Sequence, residues 1–265
     1  MEPRAWKVLT PGSRSDLVLA VDFASTGRKT SSFTELAPRL DPAIPLWETV
    51  QPPSGPSART GADYVAWWLE DILRSQRRVD AVLGYCAGGV YAAALAERIR
   101  DAQGAAPKLV LFDPEPPNAP TLLSDFDTII QHMARILTPE NVANTQEVAR
   151  RAQARQTDFA VFGAELVEIF RRAVTDAFSL AGIDDDLADE LIETFADYVA
   201  YLAAGRQIDP VPGWSTATAI GSTHPTSGVG HAARLIRFDI PHDDILRNDD
   251  VARAVTGLLA AANLA

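Results

Sequence analysis

The chain has 265 residues, of which 47% are hydrophobic and 22% are charged, and its formal net charge is -11. This acidic balance argues against nucleic acid as a partner, because nucleic-acid binders carry basic faces. No apolar run is long enough to span a bilayer, which argues against a membrane partner. The N-terminal MEPRAWKVLTPG lacks the apolar core of a secretory signal, and a single cysteine cannot form an internal disulfide. The sequence therefore favours a cytoplasmic location.

In the first part of the chain, short apolar runs alternate with segments of helical periodicity. The runs that predict buried strands are residues 16–23, 44–50, 79–85 and 107–113. The segments that predict helices are residues 33–40, 61–76 and 87–102. Strands that alternate with helices indicate a mostly parallel sheet with helices on both faces.

The pattern changes after the proline-rich stretch PEPPNAP. The segments that then show helical periodicity are residues 122–137, 139–156, 160–180 and 187–204. Residues 214–222 and 233–240 predict two further strands, and Asp249–Ala262 predicts a final amphipathic helix. The sequence thus predicts an α/β core formed by residues 1–116 and 210–265. An all-helical insertion, residues 117–209, interrupts this core.

The stretch GYCAGG, residues 84–89, joins a predicted strand to a predicted helix and contains Cys86, the only cysteine. It has the G-x-S-x-G form with cysteine in place of serine, and its glycines avoid clashes at a sharp bend. The following helix N-terminus favours a thiolate, and the N–H of Ala87 would face a developing oxyanion. The pattern predicts a nucleophile at Cys86. The alternative is a buried structural cysteine, whereas a dinucleotide-binding loop would need glycine at position 86.

The chain resembles the α/β-hydrolase thioesterases of nonribosomal peptide and polyketide synthesis, in a variant with a cysteine nucleophile. The residues that carry the resemblance are GYCAGG, the stretch LVLFDPEPP, a long helical segment and a late histidine. The resemblance implies an α/β-hydrolase fold in which residues 117–209 form a helical lid. It also implies an acyl or peptidyl carrier protein as partner. The substrate would be carried on the phosphopantetheine of that protein, and the enzyme itself would bind no cofactor.

A nucleophile needs a base and an acid that orients the base. In hydrolases with this elbow, the chain order is nucleophile, acid and histidine. Asp113 ends the strand of residues 107–113 and matches the acid of the family, while the non-catalytic alternative is a turn aspartate before proline. Asp22 and Asp239 also end predicted strands and are the alternative acids.

His242 lies between the last predicted strand and the last helix, where the resemblance places the base. His132 lies in the helical segment, and His224 and His231 precede the last strand, so all three are weaker candidates. We predict no metal site. The pair His224 and His231 lacks neighbouring cysteine or carboxylate ligands, and Asp184-Asp185-Asp186 lacks the glycine pattern of a calcium loop.

The resemblance places a second oxyanion donor in the loop after the first central strand, where it implies the backbone N–H of Ala24. The family has a His-Pro-x-Gly-Gly segment there, but this chain has DFASTG at residues 22–27. This departure leaves open a non-catalytic carrier-protein-binding module that keeps the fold.

Cysteine in place of serine changes the free energy of forming the acyl enzyme. Transfer of an acyl group from a carrier thioester to cysteine forms another thioester and is nearly balanced, whereas transfer to serine forms an oxygen ester and runs downhill. The sequence and the resemblance together predict a cysteine-dependent thioesterase-like enzyme that takes an acyl or peptidyl group onto Cys86 and releases it by hydrolysis or cyclisation. The alternative is a transferase that shuttles an acyl or aminoacyl group between carrier proteins.

Overall fold

The structure is a computed structural model that describes residues 3–23, 30–53, 59–182 and 184–260. The chain divides into two compact units. The first consists of Met1–Pro116 and Gly205–Ala265, and the second of Pro117–Ala204. The first unit holds the β-sheet, and the second unit is built of helices. The role of residues 117–209 as a lid stays a prediction.

The strands of the first unit form one sheet. They are β1 Trp6–Thr10, β2 Leu17–Val21, β3 Leu46–Thr49, β4 Val79–Tyr85, β5 Lys108–Phe112, β6 Thr218–Gly221 and β7 Arg234–Arg237. Within the described residues the sheet has seven strands in the order β1-β3-β2-β4-β5-β6-β7. Only β1 pairs antiparallel, with β3, and the other neighbouring strands pair parallel. The predicted mostly parallel sheet is therefore confirmed.

The helices follow the predicted alternation with strands. In chain order the α-helices are α1 Phe33–Leu36, α2 Gly61–Ser75, α3 Gly88–Gln103, α4 Ala119–His132, α5 Pro139–Arg155, α6 Phe159–Ala181, α7 Asp185–Gly205, α8 Val211–Trp214 and α9 Asp249–Ala260. The 3-10 helices are Ala37–Arg39, Met133–Arg135, Ser227–His231 and His242–Arg247.

Helices pack on both faces of the sheet. One face carries α1 and α9, whose buried side chains join alternate residues of the central strands, such as Leu83, Tyr85 and Phe112, in one core. The opposite face carries α3, where Gly89 approaches the side chain of Leu111. Successive side chains of a strand point to opposite faces of the sheet. The continuous apolar runs of β4 and β5 therefore supply apolar side chains to both faces.

The helical unit has an aromatic core of its own. The rings of Phe170 and Phe195 lie 4.6 Å apart between centroids, and the ring of Phe126 lies 6.4 Å and 5.9 Å from them. These residues come from α4, α6 and α7. Helices that bury aromatic side chains against one another form a stable unit because each ring removes a large apolar area from water.

One strand prediction is wrong, and one strand of the sheet has no counterpart among the predictions. Residues 214–222 do not form one strand, because Trp214 ends the short helix α8 and β6 begins only at Thr218. Proline at the start of α8 favours a helical turn, and the indole N–H of Trp214 donates to the carbonyl oxygen of Gly89 at 2.9 Å. Strand β1 was not predicted. It is an edge strand whose residues are mostly half-buried or exposed, so its sequence lacks a buried apolar run.

The close approach of α3 to β2 depends on glycine at position 88. A Cβ there would lie 2.2 Å from the carbonyl oxygen of Val21 and 3.2 Å from the Cα of Asp22. We expect Gly88→Ala to lower the free energy of unfolding by about 3 kcal/mol or more, because the atoms in the way belong to a central strand. Urea denaturation followed by circular dichroism measures this change.

Gly257→Ala is the matched control. A Cβ at position 257 of α9 meets nothing within 4 Å, and alanine is favoured over glycine inside a helix by about 0.5–1 kcal/mol. Equal destabilisation by the two substitutions would contradict the steric explanation at Gly88.

Candidate active site

Cys86 lies in the tight turn between β4 and α3, at the carboxyl edge of the sheet. Its φ is 50°, a left-handed value that residues other than glycine rarely adopt. Its N–H donates to the carbonyl oxygen of Phe112 at 2.9 Å, and its own carbonyl oxygen accepts from the N–H groups of Gly89 at 3.0 Å and Glu115 at 3.2 Å. These main-chain bonds hold a conformation that costs about 1–3 kcal/mol. The side chain is half-buried.

The glycines around Cys86 allow this turn to form. A Cβ at Gly84 would lie 2.7 Å from the Cβ of Ala92 and 2.7 Å from the Cα of Gly89. Together with Gly88 against β2, this shows that the turn has no space for a side chain two residues before or two residues after the cysteine. The glycines serve the close packing that the sequence pattern implies.

Asp113 follows β5 directly and lies beside Cys86, because β4 and β5 are parallel neighbours that end in register. Its φ is 40°, so two adjacent strands end in left-handed residues. Its side chain is fully buried. One carboxylate oxygen, Oδ1, accepts from the N–H of Ser222 at 3.1 Å, and the other, Oδ2, lies 2.9 Å from Nδ1 of His242. The backbone at the end of β6 thus fixes the rotation of the carboxylate, which aims one oxygen at the imidazole.

His242 is the first residue of the 3-10 helix that follows β7. A carboxylate only accepts hydrogen bonds, so the contact with Asp113 places the proton on Nδ1 and leaves Nε2 as the acceptor. The imidazole also stacks on the ring of Tyr85, with centroids 5.0 Å apart and planes at 20°. The imidazole side chain remains 29% exposed. The residue before Cys86 therefore contacts the histidine that Asp113 orients.

Ser31 anchors the segment that begins with His242. Its N–H donates to the carbonyl oxygen of Asp243 at 2.7 Å, and its hydroxyl oxygen accepts from the N–H of Leu246 at 2.9 Å. Ser31 is fully buried just before α1. These bonds satisfy backbone groups of a short helix and so fix the position of its first residue.

The alternative acids have other partners. The carboxylate of Asp22 accepts from the N–H of Phe23 at 2.7 Å, and Asp22 is buried at the end of β2. Asp239 is exposed and accepts from the hydroxyl of Thr223 at 3.1 Å. The described contacts therefore pair His242 with Asp113.

Of the two predicted oxyanion donors, Ala87 and Ala24, the structure describes the first. Ala87 follows Cys86 and is the last residue before α3. Ala24 lies outside the described residues, so its role stays a prediction. Asp22, which follows β2, is held by β3 and by the residues after it. Its carbonyl oxygen accepts from the hydroxyl of Thr49 at 2.8 Å and from the side-chain amide of Gln51 at 3.1 Å.

The other histidines lie on the surface. His132 is exposed at the end of α4, and His224 and His231 are exposed in the segment between β6 and β7. Among the described residues, no three histidine, cysteine or acidic side chains lie close enough together to hold a metal ion. Within residues 3–23, 30–53, 59–182 and 184–260, the helices lack the combined length and hydrophobicity that a bilayer crossing requires.

No sequence pattern identifies Tyr85, Ser31 or Ser222 as part of the site. The alternation along β4 indicates which face of the sheet Tyr85 occupies, but its contact with His242 joins positions 157 residues apart. Ser222 acts through its backbone N–H, which every residue except proline has. Backbone groups of this kind are identified by the conformation of the chain and not by residue type.

No protein-family model matches the chain, and no curated protein matches its sequence. Solved structures do. The chain is similar to holo-AB3403, a four-domain nonribosomal peptide synthetase bound to AMP and glycine, with 15% identity over 97% of this chain and 20% of that one, and a TM-score of 0.66. The chain thus spans about a fifth of the length of that synthetase.

Two isolated thioesterase domains match along nearly their whole length. The Vlm2 thioesterase domain bound with a dodecadepsipeptide has 17% identity over 96% of this chain and 97% of that one, with a TM-score of 0.55. The NocB thioesterase domain, in a covalent complex with a fluorophosphonate nocardicin G analogue, has 16% identity over 97% and 100%, with a TM-score of 0.54. Together with the sheet topology, these similarities show an α/β-hydrolase fold, as predicted.

Proposed function

We propose that the chain is a cysteine-dependent thioesterase-like enzyme of natural-product biosynthesis. It takes an acyl or peptidyl group from the phosphopantetheine thioester of a carrier protein onto Cys86, and it releases the group by hydrolysis or cyclisation. The observation that supports this proposal most is the 2.9 Å contact between Asp113 and His242 at the sheet edge where the thiol sits on a strained turn. The similarity in fold to the Vlm2 and NocB thioesterase domains supports the class of reaction.

In the proposed acylation, Nε2 of His242 takes the thiol proton, and the Asp113 carboxylate stabilises the imidazolium that forms. The thiolate attacks the thioester carbonyl carbon, and the carbonyl electron pair moves to oxygen, where the N–H groups of Ala87 and Ala24 bind it. Collapse of this intermediate breaks the bond to the phosphopantetheine sulfur. That sulfur leaves with the proton from His242.

The acyl group is then held on Cys86 as a thioester. Water attacks it to give the free acid, or a hydroxyl or amine of the same acyl chain attacks it to give a ring, with His242 as general base. Attack by the thiol of a second carrier protein would make the chain a transferase instead. The phosphopantetheine belongs to the substrate in every case, so the enzyme needs no cofactor of its own.

The test is acylation of Cys86 by a carrier protein loaded with fatty acyl, aminoacyl or peptidyl groups. We expect a covalent adduct in the intact mass, and proteolysis should place it on the peptide that contains Cys86. Enzyme alkylated beforehand with iodoacetamide is the control and should form no adduct, since Cys86 is the only cysteine. Carrier binding without an adduct from any of these groups would contradict the proposal and support a non-catalytic carrier-binding module.

An unloaded second carrier protein separates release from transfer. Appearance of free acid or ring supports the proposed releasing enzyme. Movement of a labelled acyl group to the second carrier, faster than release, would contradict the releasing role and support the transferase.

A further inference from the structure

We propose that Tyr85 is a positioning residue for His242. Its ring fixes the plane of the imidazole and stabilises the protonated form that accompanies the Cys86 thiolate. This inference rests on the proposed function, because it assumes that His242 takes the proton of Cys86.

The contact between the two rings is direct. Tyr85 is the last residue of β4, is 2% exposed, and stacks on the imidazole at a centroid distance of 5.0 Å and an interplanar angle of 20°. Its hydroxyl also donates to the carbonyl oxygen of His242 at 3.3 Å, a long and therefore weak hydrogen bond.

The contact with Asp113 by itself fixes only one atom of the imidazole, Nδ1. A single hydrogen bond at Nδ1 restricts the direction of Nε2 only loosely, and the side chain of His242 is partly open to solvent. The buried ring of Tyr85, stacked on the imidazole with the planes at 20°, restricts the rotation that this hydrogen bond leaves open. Because Tyr85 adjoins Cys86 in the chain, one strand end positions both the thiol and the face on which its base rests.

The ring of Tyr85 also has an electrostatic effect. The face of an aromatic ring is negative and attracts a cation above it, by an amount equivalent to about 3- to 30-fold in an equilibrium. This attraction favours the pair of thiolate and imidazolium over the pair of neutral groups. The stack should therefore raise the reactivity of the thiol at neutral pH, where that pair determines it.

Other titratable groups near His242 stay the same in the test. They are Asp113 at the end of β5, Cys86 after β4, Asp243 and Asp244 in the same 3-10 helix, and Arg247 paired with Glu35 of α1. None of these groups is changed by a substitution at position 85.

The experiment measures the second-order rate of alkylation by iodoacetamide, which reports Cys86 alone because the chain has no other cysteine. We expect Tyr85→Leu to slow alkylation at neutral pH by about 3- to 30-fold, whereas Tyr85→Phe, which keeps the stack, should retain the original rate. At a pH high enough to ionise an ordinary thiol, all variants should react alike, because the thiolate no longer depends on the imidazolium.

Three results would overturn the role of Tyr85. The first is a Tyr85→Leu protein that is alkylated at neutral pH as fast as the original protein. The second is a Tyr85→Leu protein that is slowed as much at high pH as at neutral pH. The third is a Tyr85→Phe protein that is slowed as much as Tyr85→Leu. Tyr85→pentafluorophenylalanine keeps the ring shape but reverses the charge of its face, so it replaces Tyr85→Leu if that variant does not fold. It should slow alkylation at neutral pH, and a rate equal to that of Tyr85→Phe would overturn the electrostatic role.

His242→Ala separates this inference from the proposed function. If His242→Ala slows neutral alkylation while Tyr85→Leu does not, only the inference about Tyr85 is wrong. If His242→Ala leaves neutral alkylation unchanged, the proposed pair of Cys86 and His242 is itself wrong.

Discussion

Cys86→Ala is expected to lower the turnover of an acyl carrier-protein thioester by about 10⁴- to 10⁶-fold, because removal of the nucleophile closes the covalent route. Alanine has a Cβ like cysteine, so the left-handed turn at φ 50° is equally strained in both proteins. The free energy of unfolding should therefore change little. Chromatography of the released acid or ring, corrected for uncatalysed hydrolysis, measures the loss of turnover.

Cys86→Ser is the matched control that tests what the thiol contributes, because it replaces only sulfur by oxygen. A serine in the same turn would form an oxygen ester, and return of the acyl group to a carrier thiol would then run uphill. We expect the serine variant to form the acyl adduct but to release it as acid or ring more slowly than the original protein, because an oxygen ester is less activated than a thioester. Turnover of Cys86→Ala within tenfold of the original protein would contradict the role of Cys86 as nucleophile.

Asp113→Asn has the second largest expected effect, a loss of about 10⁴-fold in kcat/KM. The N–H of Ser222 donates to Oδ1 of Asp113, so the oxygen of an asparagine amide would occupy that place. The amide NH₂ would then face Nδ1 of His242 and donate to it. The imidazole would carry its proton on Nε2, where it could not accept the proton of a thiol.

Steady-state kinetics with a loaded carrier protein measures this loss. Asp239→Asn is the control, because Asp239 also follows a strand but is exposed and bonded to Thr223. We expect that control to keep the original kcat/KM. Equal losses in the two variants would contradict the assignment of Asp113 as the acid.

The parallel strands could be predicted because burial on both faces gives continuous apolar runs, as in residues 79–85 and 107–113. The edge of the sheet could not, because β1 is mostly half-buried or exposed and has no such run. The apolar character of Trp214 is typical of a strand residue. Its burial comes instead from packing of α8 on α3, which local sequence does not show.

Sequence patterns pick out the candidate site residues one at a time. Cys86 stands in a motif that demands a turn, and Asp113 and His242 each stand where a sheet edge is expected. The contact between Asp113 and His242 joins positions 129 residues apart, so only the fold brings it about. The groups that orient them, the N–H of Ser222 and the ring of Tyr85, have no sequence pattern of their own.

The turn at residue 86 is held by main-chain bonds to β5, to α3 and to the segment after β5, through Phe112, Gly89 and Glu115. None of these bonds depends on whether the side chain ends in sulfur or in oxygen. Under the proposed function, a single-nucleotide exchange between cysteine and serine codons would therefore keep this scaffold and change how long an acyl group stays activated. The outcome of the proposed reaction could then evolve through one side chain, with the rest of the fold unchanged.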